Sequence, residues 1–115
     1  MASAGLTRDS QFREVYRNGQ KETGHKIIIC YLKKDGEGIK PGFVASKKKV
    51  GKAYQRNRAK RLMREVFRSL KERIIEKDIW IIFIATFRPA ETSFRELLEE
   101  VESSMIRAGL ISSGG

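Results

Sequence analysis

Apolar residues recur along the chain with two periodicities, one typical of amphipathic helices and one of buried strands. The longest helical pattern runs from about Lys52 or Ala53 to Ile75, where these positions are apolar: Ala59, Leu62, Met63, Val66, Phe67, Leu70 and Ile74. Spacings of three and four residues put them on one side of a helix with about 3.6 residues per turn. We therefore predict a long helix that buries one face.

A shorter helical pattern lies near the start of the chain. Its apolar positions fall at i, i+3 and i+4, which are Phe12, Val15 and Tyr16. Asp9 or Ser10 can cap the first turn, because a short polar side chain accepts a hydrogen bond from the free N–H groups there. Gly19 after Asn18 is a natural C′ residue. These positions predict a helix from about residue 9 to residue 18.

The last helix is predicted by a capping motif. Ser93 is followed three residues later by Glu96, a capping box in which each side chain accepts a hydrogen bond from the other residue's N–H. The apolar positions that follow are Leu97, Leu98, Val101, Met105 and Ala108. Gly109 is expected to end this helix.

Three apolar runs predict strands. The run from Lys26 to Lys33 is rich in isoleucine and precedes a turn at residues 35–38. A second run spans about Gly42 to Ser46, and we predict that the two pair as a hairpin. The third, Asp78 to Phe87, is almost entirely apolar, which favours a strand buried on both faces.

The element order is therefore α-β-β-α-β-α. It predicts an α+β fold in which helices pack on one small mixed sheet. The length of 115 residues fits a single domain, 1–115, in which we expect residues 1–8 and 112–115 to be frayed.

The charge of the chain points to a polyanionic partner. Lys and Arg total 24 against 14 Asp and Glu, a net charge of +10. Between Lys47 and Arg73 there are twelve basic residues and two acidic ones, so this segment accounts for the whole net charge. Neutralising phosphates with such a segment releases condensed counterions and favours nucleic-acid binding. The alternative is that net charge serves only solubility.

Four basic residues form a row along the long helix: Arg56, Lys60, Arg64 and Arg68. Like charges at i, i+4 repel by a few tenths of a kcal/mol per pair. An ordinary solvated face mixes charges of both signs, whereas this one has almost no carboxylates. The row therefore predicts a surface that binds an anion, with arginine suited to phosphate because of its planar fork.

The basic segment resembles the signature of bacterial ribonuclease P proteins. Residues 46–68 read SKKKVGKAYQRNRAKRLMREVFR, in which Arg-Asn-Arg is followed by Lys-Arg and then by Arg-Glu-x-Phe-Arg. Phe12, Val15, Tyr16 and Gly19 are similar to the family's first helix. The resemblance implies an accessory subunit of an RNA enzyme that removes the 5′ leader of precursor tRNA. It implies ribonuclease P RNA and precursor tRNA as partners, Mg²⁺ needed by the RNA, and no cofactor in the protein.

The resemblance also implies which residues contact RNA. The RNA-binding positions are Lys47, Lys48, Lys52, Arg56, Asn57, Arg58, Lys60, Arg61, Arg64 and Arg68. A cleft between the first helix and the sheet would hold the leader against Phe12, Tyr16 and Tyr31. Stacking on aromatic side chains in a positive groove suits a single strand. From spacing alone, Phe12 and Tyr16 equally fit plain core packing.

Two features depart from expectation. The family often has an aromatic residue at the position of Cys30, whereas here the aromatic is Tyr31, which alternation turns to the opposite face. The resemblance also implies a left-handed β-α-β crossover, although parallel crossovers are generally right-handed. We expect the family's hand.

The remaining residues predict no catalytic, metal or membrane site in the protein. His25 is the only histidine and Cys30 the only cysteine, so neither has a like partner for metal binding or for a disulfide within the chain. The longest apolar stretch, Ile79 to Phe87, is too short to span a bilayer. We expect a cytoplasmic protein with no membrane partner. Two other classes remain open: a structural RNA-binding module such as a ribosomal protein, and a DNA-binding helix.

Overall fold

The most apolar strand of the protein lies at the centre of a four-stranded sheet. The computed structural model describes residues 5–113. Its helices and strands are α1 Asp9–Asn18, β1 Gln20–Thr23, β2 Ile27–Lys33, β3 Ile39–Ala45, α2 Ala53–Leu70, β4 Ile79–Ala85 and α3 Phe94–Arg107. Short 3₁₀ turns follow α2 at Lys71–Arg73 and precede α3 at Pro89–Glu91. The predicted α+β class is confirmed.

The strand β1 is an addition to the predicted order. Its four residues, Gln-Lys-Glu-Thr, are polar and show no alternation of apolar side chains. It forms one edge of the sheet and pairs antiparallel with β2, so that Lys21 lies opposite Cys30. Backbone hydrogen bonds alone identify this strand, because its side chains carry no signal.

The predicted hairpin of β2 with β3 is wrong. The strand order is β1-β2-β4-β3, and β4 lies between the two, antiparallel to β2 and parallel to β3. Six of its seven residues are buried, so β4 takes the central place, where both neighbours cover its edges. The turn at residues 34–38 instead carries the chain past the start of β4, from β2 on one side to β3 on the other. Lys34 donates its N–H to the Asp78 carbonyl, and Ile79 donates its N–H to the Gly38 carbonyl.

A β-α-β unit therefore joins the parallel strands β3 and β4 through α2. Its left-handed crossover stays a prediction.

The helices form two layers around the sheet, with α2 and α3 on one face and α1 on the other. The larger core lies under α2 and α3 and is centred on Phe83, which stacks on Phe43 at 5.6 Å between ring centroids.

The helix α2 ends earlier than the predicted Ile75. It stops at Leu70, and the 3₁₀ turn brings Ile74 into the core with 1% of its surface exposed. Ile75 then donates its N–H to the carbonyl of Leu110. The apolar pattern continues beyond the helix because the core, not the helix, requires these side chains.

The two ends of α1 also differ from prediction. Arg8, not Asp9 or Ser10, is the N-cap, and Gln11 Oε1 accepts its N–H at 3.0 Å. Gly19 has φ −90°, so it is not the left-handed residue expected at C′. A Cβ there would lie 2.6 Å from the Val15 carbonyl oxygen and would also meet the Tyr31 carbonyl. Close approach of α1 to β2 is therefore what requires glycine.

The segment before α1 is held in place as far as the structure describes it. Leu6 is 8% exposed, packs with Val15 and Trp80, and donates its N–H to the Pro41 carbonyl at 2.8 Å. The prediction of fraying is therefore wrong for the segment around Leu6, since this side chain is buried in the smaller core, under α1. Residues 1–4, 114 and 115 lie outside the described residues.

Candidate nucleic-acid interface

The basic row of α2 lies along the flank that faces β3. The adjacent side of the helix packs into the core through Ala59, Met63 and Val66, and this fixes the orientation of the helix. Arg56 is half-buried and donates to the Gly51 carbonyl at 2.8 Å. The Arg64 guanidinium lies 5.4 Å from the centroid of the Phe43 ring, within the range of a cation–π contact.

Most basic residues of the segment have no carboxylate partner within the described residues. Seven ion pairs occur there: Lys33–Asp35, Lys33–Glu76, Lys34–Glu14, Lys40–Glu37, Arg73–Glu102, Arg95–Glu99 and Arg107–Glu22. Among the twelve basic residues between Lys47 and Arg73, Arg73 alone takes part. The positive charge of this surface is therefore not neutralised within the described chain.

The predicted RNA-binding residues of α2 do not share one surface. Lys60 and Arg58 are separated by about 160° around a helix with 3.6 residues per turn. Asn57, Arg58 and Arg61 are exposed on a surface that adjoins the row near Arg68 and extends away from it, which we call the outer face. Tyr54 belongs to it, since it lies one turn before Arg58, and it is 69% exposed. Sequence reasoning missed Tyr54, although its place outside the apolar stripe of α2 could have indicated it.

The lysine loop, residues 46–52, joins β3 to the start of α2. It is an ordered turn, because Val50 is buried and donates to the Ser46 carbonyl at 2.9 Å. Gly51 has φ +122°, a left-handed conformation that favours glycine. The exposed lysines of the loop are Lys47, Lys48, Lys49 and Lys52. Arg88, also exposed, lines a depression together with this loop, a neighbour that the sequence did not indicate.

The sheet face under α1 is covered in one half and open in the other. Cys30, Ile82 and Gly42 form one cross-strand row and are buried. The next row, Ile28, Ile84 and Val44, is only half-buried. We call this open half, with the helix side that borders it, the cleft. The covered half is closed by Lys34, which pairs with Glu14 at 2.6 Å and lies over the Trp80 ring.

Phe12 and Tyr16 lie on the side of α1 that borders the cleft. Their ring centroids are 6.5 Å apart, and Tyr16 is 48% exposed while Phe12 is half-buried. Burial raises the pKa of the Tyr16 hydroxyl, with a further contribution from Cys30. Burial also raises the pKa of the Cys30 thiol, although Lys21 opposes this. Both groups are therefore neutral at physiological pH, and the cleft carries no negative charge from them.

Tyr31 does not join Phe12 and Tyr16. It lies on the opposite face of the sheet, against the core under α2 and α3, and its hydroxyl donates to Gln20 Oε1 at 3.3 Å. Cys30 occupies the corresponding place under α1. The strand period of two decides this, so the prediction of Tyr31 as a cleft residue is wrong.

A further depression follows the free edge of β3 and is bounded by α2 on one side and by residues 5–7 on the other. We call it the edge groove. Its volume is 570 Å³, and it is lined by Gly5, Leu6, Thr7, Phe12, Pro41, Gly42, Phe43, Lys60, Arg64, Phe67, Arg68 and Lys71. Gly42 makes room for the Phe12 ring at one side of the groove, because a Cβ at residue 42 would lie 2.8 Å from that ring.

Residues 5–113 contain no candidate metal site and no candidate membrane span. No three or more His, Cys, Asp or Glu side chains lie there in an arrangement that could hold a metal ion. No helix of the described chain combines the length and the apolar character required to cross a bilayer.

The chain is similar to one protein family over most of its length. The sequence model described as "Ribonuclease P" matches residues 1–109. The ribonuclease P protein component of Clostridioides difficile (strain 630) is 32% identical over 106 residues, which cover 92% of this chain and 92% of that protein. That of Symbiobacterium thermophilum is 36% identical over 105 residues, 90% of each chain.

Solved structures share the fold. The RNase P protein of Staphylococcus aureus superposes with a TM-score of 0.82 at 21% identity, covering 96% of this chain and all of that one (100%). The RNase P protein of Thermotoga maritima gives a TM-score of 0.78 at 24% identity, with 91% and 97% coverage. At these identities the likeness establishes the fold alone.

Proposed function

Because the chain belongs to the ribonuclease P protein family, we propose that its separate basic surfaces bind different RNA segments of one processing complex. As a member, it is a protein component of the ribonucleoprotein that processes the 5′ end of tRNA. It acts with ribonuclease P RNA and binds precursor tRNA. Residues 1–115 serve this function as a single RNA-binding domain.

One observation carries the assignment of surfaces: the basic residues without carboxylate partners border an open sheet face with aromatic side chains. A polyanion neutralises the basic side chains, and unpaired bases stack on the aromatic side chains of the open sheet face. Outside residues 47–73 five of the twelve basic residues of the described chain form ion pairs, whereas within that segment only Arg73 does. A fully covered sheet would leave no place for a single strand.

The RNA subunit contacts the outer face and the lysine loop. These surfaces meet at the start of α2 and contain Lys47, Lys48, Lys52, Asn57, Arg58 and Arg61, and Arg56 of the basic row lies beside them. Arginine can bind phosphate with two parallel hydrogen bonds, so the outer face suits a structured RNA backbone. Tyr54 adds an exposed ring on which an unstacked base can lie.

The 5′ leader lies in the cleft. Phe12 and Tyr16 offer ring surface at its side, and the half-buried row Ile28, Ile84 and Val44 forms its floor. The strand ends of this floor lead toward the lysine loop and Arg88, which can neutralise the leader phosphates. Lys60, Arg64 and Arg68, on the other flank of α2, complete the proposed RNA-binding residues.

The RNA subunit supplies the catalysis and binds the Mg²⁺ that hydrolysis requires. The protein neutralises phosphate charge where the two RNAs meet, so it lowers the Mg²⁺ concentration that the complex needs. Its lone buried thiol fits the reducing cytoplasm, which we propose as its location.

Reconstitution with a bacterial ribonuclease P RNA tests this function. A labelled precursor tRNA is incubated at low Mg²⁺, where the RNA alone is nearly inactive, with and without the protein. Protein-dependent cleavage at the mature 5′ end is the expected result. Tight RNA binding without any gain in cleavage would contradict the proposal and would favour a structural RNA-binding module.

A further inference from the structure

The edge groove combines four basic side chains on one wall with apolar side chains on the other. The basic wall consists of Lys60, Arg64, Arg68 and Lys71, and the apolar wall includes Leu6, Phe12 and Pro41. None of the four basic side chains forms an ion pair within residues 5–113. No carboxylate of residues 5–113 lines the groove, so its electrostatic complement is an anion.

The shape of the edge groove suits a single strand rather than a duplex. Its basic wall runs from Lys60 to Lys71, about 16 Å along a helix with a rise of about 1.5 Å per residue. This length accommodates a few nucleotides. Phe12 and Phe43 offer aromatic surface next to the cations, which is the combination that binds unpaired nucleic acid without sequence preference.

The edge groove and the cleft share one residue, Phe12. Phe12 borders the open sheet face on one side and lines the edge groove on the other. Gly42 allows the ring to lie against β3 at this corner. A strand that stacks on Phe12 in the cleft can therefore continue around the free edge of β3 and along α2.

We propose that the edge groove is a second leader site, which binds the nucleotides of the 5′ leader beyond those held in the cleft. The inference rests on the proposed function, because it assumes that the cleft holds the leader. It assigns Lys60, Arg64, Arg68 and Lys71 to the substrate, whereas the outer face of α2 contacts the RNA subunit. The ligand class is unpaired RNA, recognised through its phosphates and base faces.

A leader-length series with the reconstituted holoenzyme tests the proposal. Precursor tRNAs carry leaders of about 4 or about 12 nucleotides, within the range of single-strand site sizes. Lys71→Ala removes one charge from the groove, and Lys77→Ala is its matched control, since Lys77 is exposed, outside the groove and in no ion pair of the described residues. Thr7→Trp narrows the groove without a change of charge. Thermal unfolding verifies that each variant is folded.

Both groove variants are expected to weaken binding of the long-leader precursor roughly threefold to tenfold and to leave the short-leader precursor unchanged. Lys71→Ala should also lower the salt dependence of long-leader binding by about 0.7 in the slope of log K against log salt. Lys77→Ala should match the wild type in each measurement. Affinity for the RNA subunit alone should be unaffected.

Two outcomes would overturn the proposal. Equal losses for both leader lengths, or a loss of RNA-subunit affinity instead, would assign the groove to another RNA segment. No change in any affinity would show that the groove is unoccupied in the complex. A wild-type holoenzyme whose cleavage does not depend on the protein would instead contradict the proposed function itself, so the two failures are distinguishable.

Discussion

The helices α2 and α3 pack side by side on the same sheet face, but their charged side chains differ in whether they have partners within the described chain. Each glutamate of α3 has a partner in the chain: Glu96 accepts from Ser93 N–H, Glu99 pairs with Arg95, Glu100 accepts from Lys26 N–H and Glu102 pairs with Arg73. The exposed arginines of α2 have no carboxylate partner within the described residues. Charge on α3 is balanced internally, whereas charge on α2 requires an external partner.

This difference teaches how to separate structural from functional charge in a small basic protein. The density of charged residues does not distinguish the two helices, because α2 has seven among 18 residues and α3 has six among 14. The ion pairs do distinguish them, because the basic row of α2 has no carboxylate partners within the described residues and its like charges repel one another, which destabilises the helix. Charge reversals on the two helices should therefore have opposite consequences for stability and for binding.

The largest effect is expected from reversing two charges on the outer face. Arg58→Glu with Arg61→Glu should weaken binding of the RNA subunit about 100-fold, because two phosphate contacts become repulsive. The matched control is Arg95→Glu with Arg107→Glu on α3, which changes the net charge of the chain equally. Affinity is measured by filter binding or anisotropy at fixed salt.

The control should show the opposite pattern. It should lower the free energy of unfolding by about 1 kcal/mol, because the exposed pairs Arg95–Glu99 and Arg107–Glu22 become like-charge contacts, and it should cost at most a few-fold in affinity. Equal affinity losses for both double variants would mean that total charge, not the outer face of α2, binds the RNA.

An intermediate effect should separate two tyrosines on opposite sheet faces. Tyr16→Ala should reduce the preference for precursor over mature tRNA about tenfold, because a base loses its stacking surface. Tyr31→Ala should lower the free energy of unfolding, since Tyr31 packs against the core, and should leave that preference intact. Binding of both tRNAs, with urea unfolding of each variant, measures the two effects. A loss of precursor preference in Tyr31→Ala would contradict the assignment of the cleft.

The smallest effect concerns the stability of the free protein. Lys60→Gln removes the central charge of the row, between Arg56 and Arg64, and should raise the free energy of unfolding by a few tenths of a kcal/mol. Glu99→Gln on α3 should lower it slightly, because it removes the pair with Arg95. Both differences should shrink at high salt, where exposed charges are screened. Urea unfolding at two salt concentrations measures them, and a destabilised Lys60→Gln would show that the row is not repulsive.

Tertiary structure corrected the sequence predictions at particular residues. The predicted hairpin failed because two runs joined by a good turn signal need not pair when a more apolar strand competes for the centre. The strand β1 has only polar side chains and so no periodic signal. Arg88 lines the depression at the lysine loop although it is remote from it in sequence. Such neighbours depend on the order of the strands in the sheet, which local sequence patterns do not indicate.

The sequence by itself determined the three helices, the buried character of β4, the location of the net charge in residues 47–73 and the family resemblance. These properties are local, because periodicity, capping and charge density are set within a few turns of chain. Only the tertiary structure decided that β4 separates β2 from β3, that Arg88 lies beside the lysine loop, and that Phe12 lines the edge groove as well as packing on the cleft floor. These features arise where separate elements meet, so they depend on which strand lies at the edge and which face each helix covers.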